Sequence, residues 1–193
     1  MRVHFKRAGW MVLLILAPVA MAAEQEKDSY TEAIKVFQSA GESSKFFKDS
    51  YGYAVFPTIG KGGVVMVGGA YGDGRVYEQG RQIGTTSMSQ LSVGPQLGGQ
   101  AYSEIVFFQD KRALDEFTGG NFEFGADIGA VAITAGASAG ASTAGASASA
   151  SGGQHDATTA GTYYKGMAVF TVAKGGLMFQ AALQGQKFSY KPL

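Results

Sequence analysis

The chain contains no cysteine among its 193 residues. That absence excludes disulfides, catalysis by a thiolate nucleophile and zinc sites built from thiolates. It also excludes the acylated cysteine that anchors a bacterial lipoprotein, so we expect the protein not to be a lipoprotein. A domain without disulfides depends on burial for its stability, and this chain is long enough for one ordinary hydrophobic core.

Histidine is also scarce, with two residues in the whole chain. One of them, His155, is followed by Asp156 in a tract rich in alanine, glycine and serine. A Ser-His-Asp catalytic set requires a rigid frame, and this tract is where order is least expected. Clustered histidines and calcium-loop spacing are absent from the sequence as well. We therefore expect no catalytic residue, no metal site and no cofactor, so the protein should not be an enzyme.

Nucleotide-binding motifs are missing from the stretch where glycine is densest, Val55–Arg75. A Walker loop requires G-x-x-x-x-G-K-[ST], which TIGKGG does not supply, and a dinucleotide fingerprint leads from a strand into a helix. Here Asp73-Gly74 separates two runs of β-type residues, which predicts a hairpin turn, and Gly80-Arg81 predicts another. The glycines are therefore interpreted as corners between strands.

The N-terminus has the three-part pattern of a secretory signal peptide. Three basic residues precede an apolar run, Trp10–Val19, which is followed by small residues up to Ala22. The run is shorter than the roughly 20 residues of a membrane-spanning helix. We expect residues 1–22 to be the signal peptide and residues 23–50 to form a helical segment. Residues 51–193 should form a β-rich domain, within one globular unit of residues 28–193 that carries a low-complexity loop at about 140–158.

The charge of the exported chain differs from that of the full sequence. Three of the sixteen Lys and Arg residues lie in the predicted signal peptide, whereas all fifteen Asp and Glu residues follow it. The net charge therefore changes from +1 to about −2 on cleavage. A general nucleic-acid binder has a net basic surface, so we expect no nucleic-acid partner.

Hydrophobic periodicity predicts the secondary structure of the remaining chain. Ser29 and Glu32 match a capping box, which predicts a helix from Ser29 to Gly41, and SSKFFKDS predicts a second short helix. From Tyr51 the period changes to two, which is typical of strands. QAYSEIVFF predicts one strand, and DKRALDEF predicts a short mid-chain helix.

These elements together indicate the fold class. Seven or eight antiparallel strands follow N-terminal helices, with one short helix in the middle of the chain. The sequence therefore predicts an α+β fold dominated by a strongly coiled antiparallel sheet or a small β-barrel-like core.

Four segments, in order, resemble the SYLF-domain family, which includes the yeast Ysc-type actin-binding domain. They are YGYAVFPTIGKGGVVMVGGAYGDGRVY, SVGPQLGGQAYSEIVFF, NFEFGADIGAVA and YYKGMAVFTVAKGGL. The resemblance extends from about Ala33 to Tyr190. The chain departs from the family at IGTTSMSQ, where members usually have a tryptophan-serine-x-P segment.

The resemblance implies lipid binding. Eukaryotic relatives bind phosphoinositides and some bind actin, whereas bacterial relatives are exported proteins regarded as lipid-binding. The expected partner is therefore a phospholipid, with an anionic headgroup favoured, at a membrane surface. Actin binding follows only by family analogy and is not expected in a bacterial envelope. The expected location is the periplasm, peripheral to the outer membrane.

Basic residues at or near the predicted hairpin turns could form a ring on one rim of the sheet and hold headgroup phosphates. They are Lys61, Arg75, Arg81, Lys165 and Lys174. A second candidate patch is the basic, aromatic segment Lys45, Phe46, Phe47 and Lys48, which could lie on a membrane surface. The alternatives are that turn lysines and arginines keep the strand edges soluble and that the two phenylalanines pack on the core.

Two other functions remain open from the sequence. A small outer-membrane β-barrel would suit export, alternating strands and abundant glycine, although the strands lack aromatic girdles and helices precede them. An envelope module that binds another protein, with no lipid, would also fit.

Overall fold

The structure is a computed structural model that describes residues 17–97, 100–125, 130–133, 162–174, 183 and 185–193. Most of the predicted signal peptide and the low-complexity tract with His155 lie outside these residues. Four helices and seven strands are described: α1 (Ala17–Ser39), α2 (Gly41–Ser44), α3 (Phe46–Asp49), β1 (Gly52–Glu78), β2 (Arg81–Leu97), β3 (Gln100–Phe108), α4 (Lys111–Thr118), β4 (Phe122–Glu123), β5 (Ala130–Ile133), β6 (Met167–Lys174) and β7 (Gln186–Pro192).

The described strands form one strongly curled sheet, a half-barrel, in the order β4-β7-β2-β1-β3-β6-β5. Neighbouring strands are antiparallel except for β5 and β6, which are parallel. The predicted α+β class and coiled sheet are confirmed, whereas the expectation of antiparallel pairing throughout is wrong at β5.

The longest strand, β1, corrects the prediction made for the glycine-rich stretch. Asp73 and Gly74 lie inside β1, where Asp73 pairs with Ser87 of β2. The predicted turn at Asp73-Gly74 is therefore wrong. The chain reverses at Gln79 and Gly80, which confirms the turn predicted at Gly80-Arg81. Their φ angles of 48° and 81° lie in the left-handed region where glycine is favoured.

The strand glycines allow β1 to bend back over itself. A Cβ atom on Gly72 would lie 2.6 Å from the Ile59 Cγ1 atom and 2.9 Å from the Thr58 carbonyl oxygen. A Cβ atom on Gly74 would lie 2.6 Å from the ring of Phe56. The first half of β1 therefore approaches the second half more closely than side chains would permit.

Replacing Gly72 by alanine tests this account of the curl. We expect Gly72→Ala to lower the free energy of unfolding by about 1–3 kcal/mol, because the backbone atoms it would meet cannot move aside cheaply. The matched control is Gly62→Ala on the same strand, because a Cβ atom there meets nothing within 4 Å. Urea unfolding measures both, and equal stability of the two variants would contradict the account.

The half-barrel encloses one core and presents its outer surface to a second. Phe56, Met88 and Phe188 belong to the inner core, which α4 closes at one end with Leu114 and Phe117. Asp110 caps α4 by accepting a hydrogen bond from the Ala113 amide at 2.9 Å. The predicted mid-chain helix is confirmed, and its buried residues include Leu114 and Phe117.

The N-terminal helices pack against the outer surface of the sheet. Phe37 and Phe46 contact a cluster that includes Ile105 and Phe170. The helix α1 begins well before Ser29, whose hydroxyl donates to the Glu26 carbonyl at 2.7 Å, so the predicted capping box is wrong. The single helix predicted for SSKFFKDS is replaced by two one-turn helices, α2 and α3. None of the helices in the described ranges has the length and apolar character needed to cross a membrane.

Candidate functional site

The strand register defines two ends of the sheet. At the first, which we call the α4 end, Gly52 of β1 pairs with Phe108 of β3, and Phe108 pairs with Met167 of β6. The helix α4 follows β3 at this end, and the turn at Gln79–Gly80 lies here because the Gln79 amide donates to the Tyr51 carbonyl at 3.1 Å.

At the opposite end, which we call the lysine end, the register brings together two of the predicted site residues. Lys61 pairs with Gln100 of β3, and Lys174 pairs with Ala101, the next residue along that strand. Lys61 and Lys174 therefore lie on the strands that flank β3, with backbones about 10 Å apart at the usual strand spacing.

The surroundings of the two lysines differ. The Lys174 side chain is exposed, and its Nζ atom donates to the Thr58 hydroxyl at 2.7 Å. That partner is uncharged, so the contact does not neutralise the ammonium. Lys61 is half-buried, and burial lowers the pKa of its amine. A desolvated cation interacts more strongly with an anion than a fully hydrated cation does.

Two large apolar side chains are exposed on β1 and β2 beyond the lysine end. Leu91 of β2 is 86% exposed and pairs with Gly69 in the part of β1 that leads away from the lysine end. Tyr71, two residues further along β1, is exposed as well. A single exposed leucine is ordinary on a protein surface, so these two side chains add apolar surface to the sheet without defining a site by themselves.

Two other predicted site residues lie at the α4 end. Arg81 is exposed directly after the turn, opposite Glu78 in the register. Lys165 lies in the tight turn before β6, with a φ angle of 51° and its Nζ atom 5.3 Å from the Tyr164 ring centroid. The predicted basic residues are therefore divided between two ends and do not form one ring.

The α4 end also carries carboxylates. Lys111 pairs with Asp115 at 2.6 Å, and Arg112 pairs with Glu116 at 3.4 Å. These ion pairs offset much of the positive charge that α4 contributes to this end.

Arg75 lies neither at a turn nor at an end of the sheet. Its Nη2 atom is 3.1 Å from Glu26 Oε1, and its guanidinium stacks 4.0 Å from the Tyr30 ring centroid. Both partners belong to α1, so the Arg75 side chain links α1 to β1. Its predicted position beside a turn is wrong, because Asp73-Gly74 forms no turn.

The segment Lys45–Lys48 divides between core and surface. Phe46 is buried, with its ring centroid 5.5 Å from that of Phe107 and 5.0 Å from that of Phe170. Phe47 packs 4.9 Å from Phe107, whereas the two lysines are exposed. Of the two alternatives for Phe46 and Phe47, the structure shows packing on the core of the protein.

Sequence reasoning missed a group of buried polar side chains inside the half-barrel, which we call the polar belt. Its members come from four strands and are all buried: Gln90 (β2), Tyr102 and Glu104 (β3), Thr171 (β6) and Gln186 (β7). The Nε2 atom of Gln186 donates to Glu104 Oε2 at 3.2 Å and to the Tyr102 hydroxyl at 3.3 Å. The belt thus links β3 to β7 across the interior.

The carboxyl group of Glu104 has an unusual environment. It is fully buried, and this burial raises its pKa to about 8, opposed by the hydrogen bond from Gln186. The Oε1 atoms of Glu104 and Gln186 have no hydrogen-bond partner in the described part of the chain. Buried polar atoms are nearly always paired in proteins, so these two oxygens require an explanation.

The sequence held one indication of the belt. Tyr102, Val106 and Phe108 all face the inner core, and Glu104 has the same parity along β3. Because the alternate residues Ile105 and Phe107 are also apolar, the strand is buried on both faces, and a glutamate within it must be buried. Across the described ranges, no three acidic or histidine side chains are grouped so as to hold a metal ion.

A comparison with protein-family models identifies the family. The model described as Ysc84, Las17-binding protein actin regulator, matches residues 89–191, just over half of the chain. The chain belongs to the Ysc84 family. The resemblance to SYLF-domain proteins is thereby confirmed. The Ysc84 match begins in the middle of β2 and includes Glu104, Lys174 and Gln186, whereas Lys61 precedes it. No curated protein sequence matched the chain.

Proposed function

We propose that this Ysc84-family protein is an exported, non-enzymatic protein that binds phospholipid headgroups at a membrane surface through its lysine end. The observation that carries the proposal is the register that places Lys61 and Lys174 on the two strands beside β3, at one end of the sheet. Each basic side chain near an anionic membrane surface contributes about 1 kcal/mol to binding.

The α4 end is the less suitable surface for an anionic headgroup. Its cations Lys111 and Arg112 are engaged in ion pairs with carboxylates. Unpaired acidic groups would repel a phosphate, and paired cations would have to exchange partners to bind one. The exposed Lys174 donates a hydrogen bond to the Thr58 hydroxyl, and this uncharged partner does not neutralise the lysine.

The proposed location in the periplasm favours a lipid over a protein filament as the partner. The Ysc84 family is described as Las17-binding regulators of actin. A protein exported through a signal peptide to a bacterial envelope would not meet actin, whereas it would meet phospholipid. We propose a periplasmic protein, peripheral to the outer membrane, with actin binding confined to other members of the family.

Charge reversal at the lysine end tests the proposal. We expect Lys61→Glu with Lys174→Glu to weaken co-sedimentation with vesicles of 30% anionic phospholipid by roughly 30-fold or more, because two contacts of about 1 kcal/mol each are lost and repulsion is added. Binding of the unmodified protein should also weaken with salt.

The matched control reverses two charges at the other end. Arg81→Glu with Lys165→Glu changes the net charge by the same amount, and both residues are exposed. We expect this variant to bind vesicles within about threefold of the unmodified protein, since long-range effects of distant surface charges are screened. If the two double variants weaken binding equally, the lysine end is not the site. Circular dichroism of both variants checks that the fold is retained.

A further inference from the structure

The polar belt lies beside the proposed lipid site and is not explained by packing. Tyr102 and Glu104 belong to β3, the strand whose residue Gln100 pairs with Lys61 in the register. Glu104 is four residues from Gln100. At the usual strand rise, its backbone is therefore about 13 Å from the backbone pair formed by Gln100 and Lys61. The combined reach of a lysine side chain, a glutamate side chain and a small bound group covers that distance.

When Glu104 is ionised, the two unpartnered oxygens of the belt both need a hydrogen-bond donor. Glu104 Oε1 and Gln186 Oε1 are both buried acceptors, and the same two residues are already joined through Gln186 Nε2. Leaving such an atom unpaired in the protein interior costs more free energy than an ordinary hydrogen bond contributes to stability. A buried carboxylate is tolerated when it is paired with a cation and hydrogen-bonded.

The groups that face Glu104 supply no such cation. Tyr102 lies beside it on β3, Gln186 reaches it from β7, and the register places Phe56 of β1 and Thr171 of β6 on either side. Tyr102 is the other titratable group in this set, and burial raises its pKa, so it stays neutral. Among the described side chains around it, Glu104 therefore has amide, hydroxyl and ring neighbours only.

We propose that the polar belt binds the primary ammonium group of a zwitterionic phospholipid headgroup, with Glu104 and Gln186 as acceptors, while Lys61 holds the phosphate of the same headgroup. This inference rests on the proposed lipid binding and names the headgroup as a phosphoethanolamine type. The headgroup would enter at the lysine end, because Lys61 is half-buried there whereas Glu104 is fully buried.

Calorimetric titration with glycerophosphoethanolamine, the headgroup without acyl chains, tests the inference. At pH 7 the free protein holds Glu104 largely protonated, because its pKa is about 8. Binding of an ammonium favours the ionised carboxylate, so roughly 0.9 proton should be released per headgroup bound. Two buffers of different ionisation enthalpy, neither of them phosphate or a primary amine, measure this release.

Two variants distinguish binding at Glu104 from the general effect of replacing a glutamate by glutamine. Glu104→Gln should bind the headgroup roughly tenfold or more weakly and release no proton, because a charge-assisted hydrogen bond is lost. Glu123→Gln makes the same chemical change at an exposed residue that pairs with Lys187 at 3.6 Å, and it should behave as the unmodified protein. Equal binding by all three proteins would overturn the inference.

A headgroup without the amine distinguishes this inference from the proposed function. Glycerophosphoglycerol should bind at least about tenfold more weakly than glycerophosphoethanolamine. Equal binding of the two headgroups, or vesicle binding without any soluble-headgroup binding, would overturn the ammonium site and leave the lipid function intact. Failure to bind either headgroups or vesicles of any composition would overturn both.

Discussion

Glu104→Gln is expected to stabilise the protein on the order of 4 kcal/mol at pH 8 and to leave its stability almost unchanged at pH 4.5. In the folded chain the pKa of Glu104 is raised from 4.5 to about 8 by burial. Each pKa unit corresponds to about 1.4 kcal/mol. A neutral glutamine can accept the hydrogen bond from Gln186 and pays no cost for a buried charge.

The sign of the pH dependence follows from the direction of the pKa shift. Below pH 4.5 Glu104 is protonated in both the folded and the unfolded chain, so its contribution to stability is fully present. Between pH 4.5 and 8 the unfolded chain releases this proton and the folded chain retains it. The free energy of unfolding therefore falls as the pH rises through this window, and no further loss from Glu104 is expected above it.

Urea unfolding at half-unit steps from pH 4.5 to 8.5 measures the effect as a difference between variants. The unmodified protein should lose stability relative to Glu104→Gln at up to about 1.4 kcal/mol per pH unit. The exposed-site variant Glu123→Gln should run parallel to the unmodified protein. A constant difference between the Glu104→Gln and unmodified curves would show that Glu104 titrates normally in the folded state.

Phe107→Ala is expected to lower the free energy of unfolding by about 3–5 kcal/mol, the usual cost of removing a buried phenylalanine. Phe107 is fully buried and lies at the centre of the outer core. Its ring centroid is 5.5 Å from Phe46, 4.9 Å from Phe47 and 5.9 Å from Phe170. The truncation therefore leaves a cavity between α3, β3 and β6.

The matched control is an apolar truncation on the surface. Leu91→Ala removes a side chain that is 86% exposed and should change stability by less than about 0.5 kcal/mol. Urea unfolding with a common m-value compares the two variants. Similar, small losses for both would contradict the packing of the N-terminal helices on β3.

Local sequence patterns correctly predicted those helices and strands in which the local pattern agrees with the tertiary packing. QAYSEIVFF corresponds to β3 residue for residue, and Lys111–Thr118 forms the helix predicted from DKRALDEF. In both segments the apolar period, and in α4 the Asp110 cap, agree with the tertiary packing. The resemblance to SYLF-domain proteins, based on four ordered segments, led to the family.

Patterns that tertiary contacts override were misinterpreted. Asp73-Gly74 has the composition of a turn, but Gly74 is needed because Phe56 of the same strand packs against it. Ser29 has the composition of a helix cap, but the helix extends past it toward the N-terminus. Neither contact can be read from the neighbouring residues alone.

The candidate sites were predicted in part for the same reason. Lys61 and Lys174 were recognised as basic residues near strand ends, but only the β3 register shows that they share one end. Glu104 was not recognised, because a single glutamate among apolar residues has no motif. Its importance depends on Gln186, which is 82 residues away in the chain.

The most direct test of the lipid-binding account is sedimentation of the purified, detergent-free protein with vesicles. One set contains phosphatidylcholine alone, and the other adds 30% of an anionic phospholipid. The account predicts that the protein sediments with the anionic vesicles at low salt and returns to the supernatant as salt is raised. Protein that stays in the supernatant with every vesicle composition at low salt would contradict it.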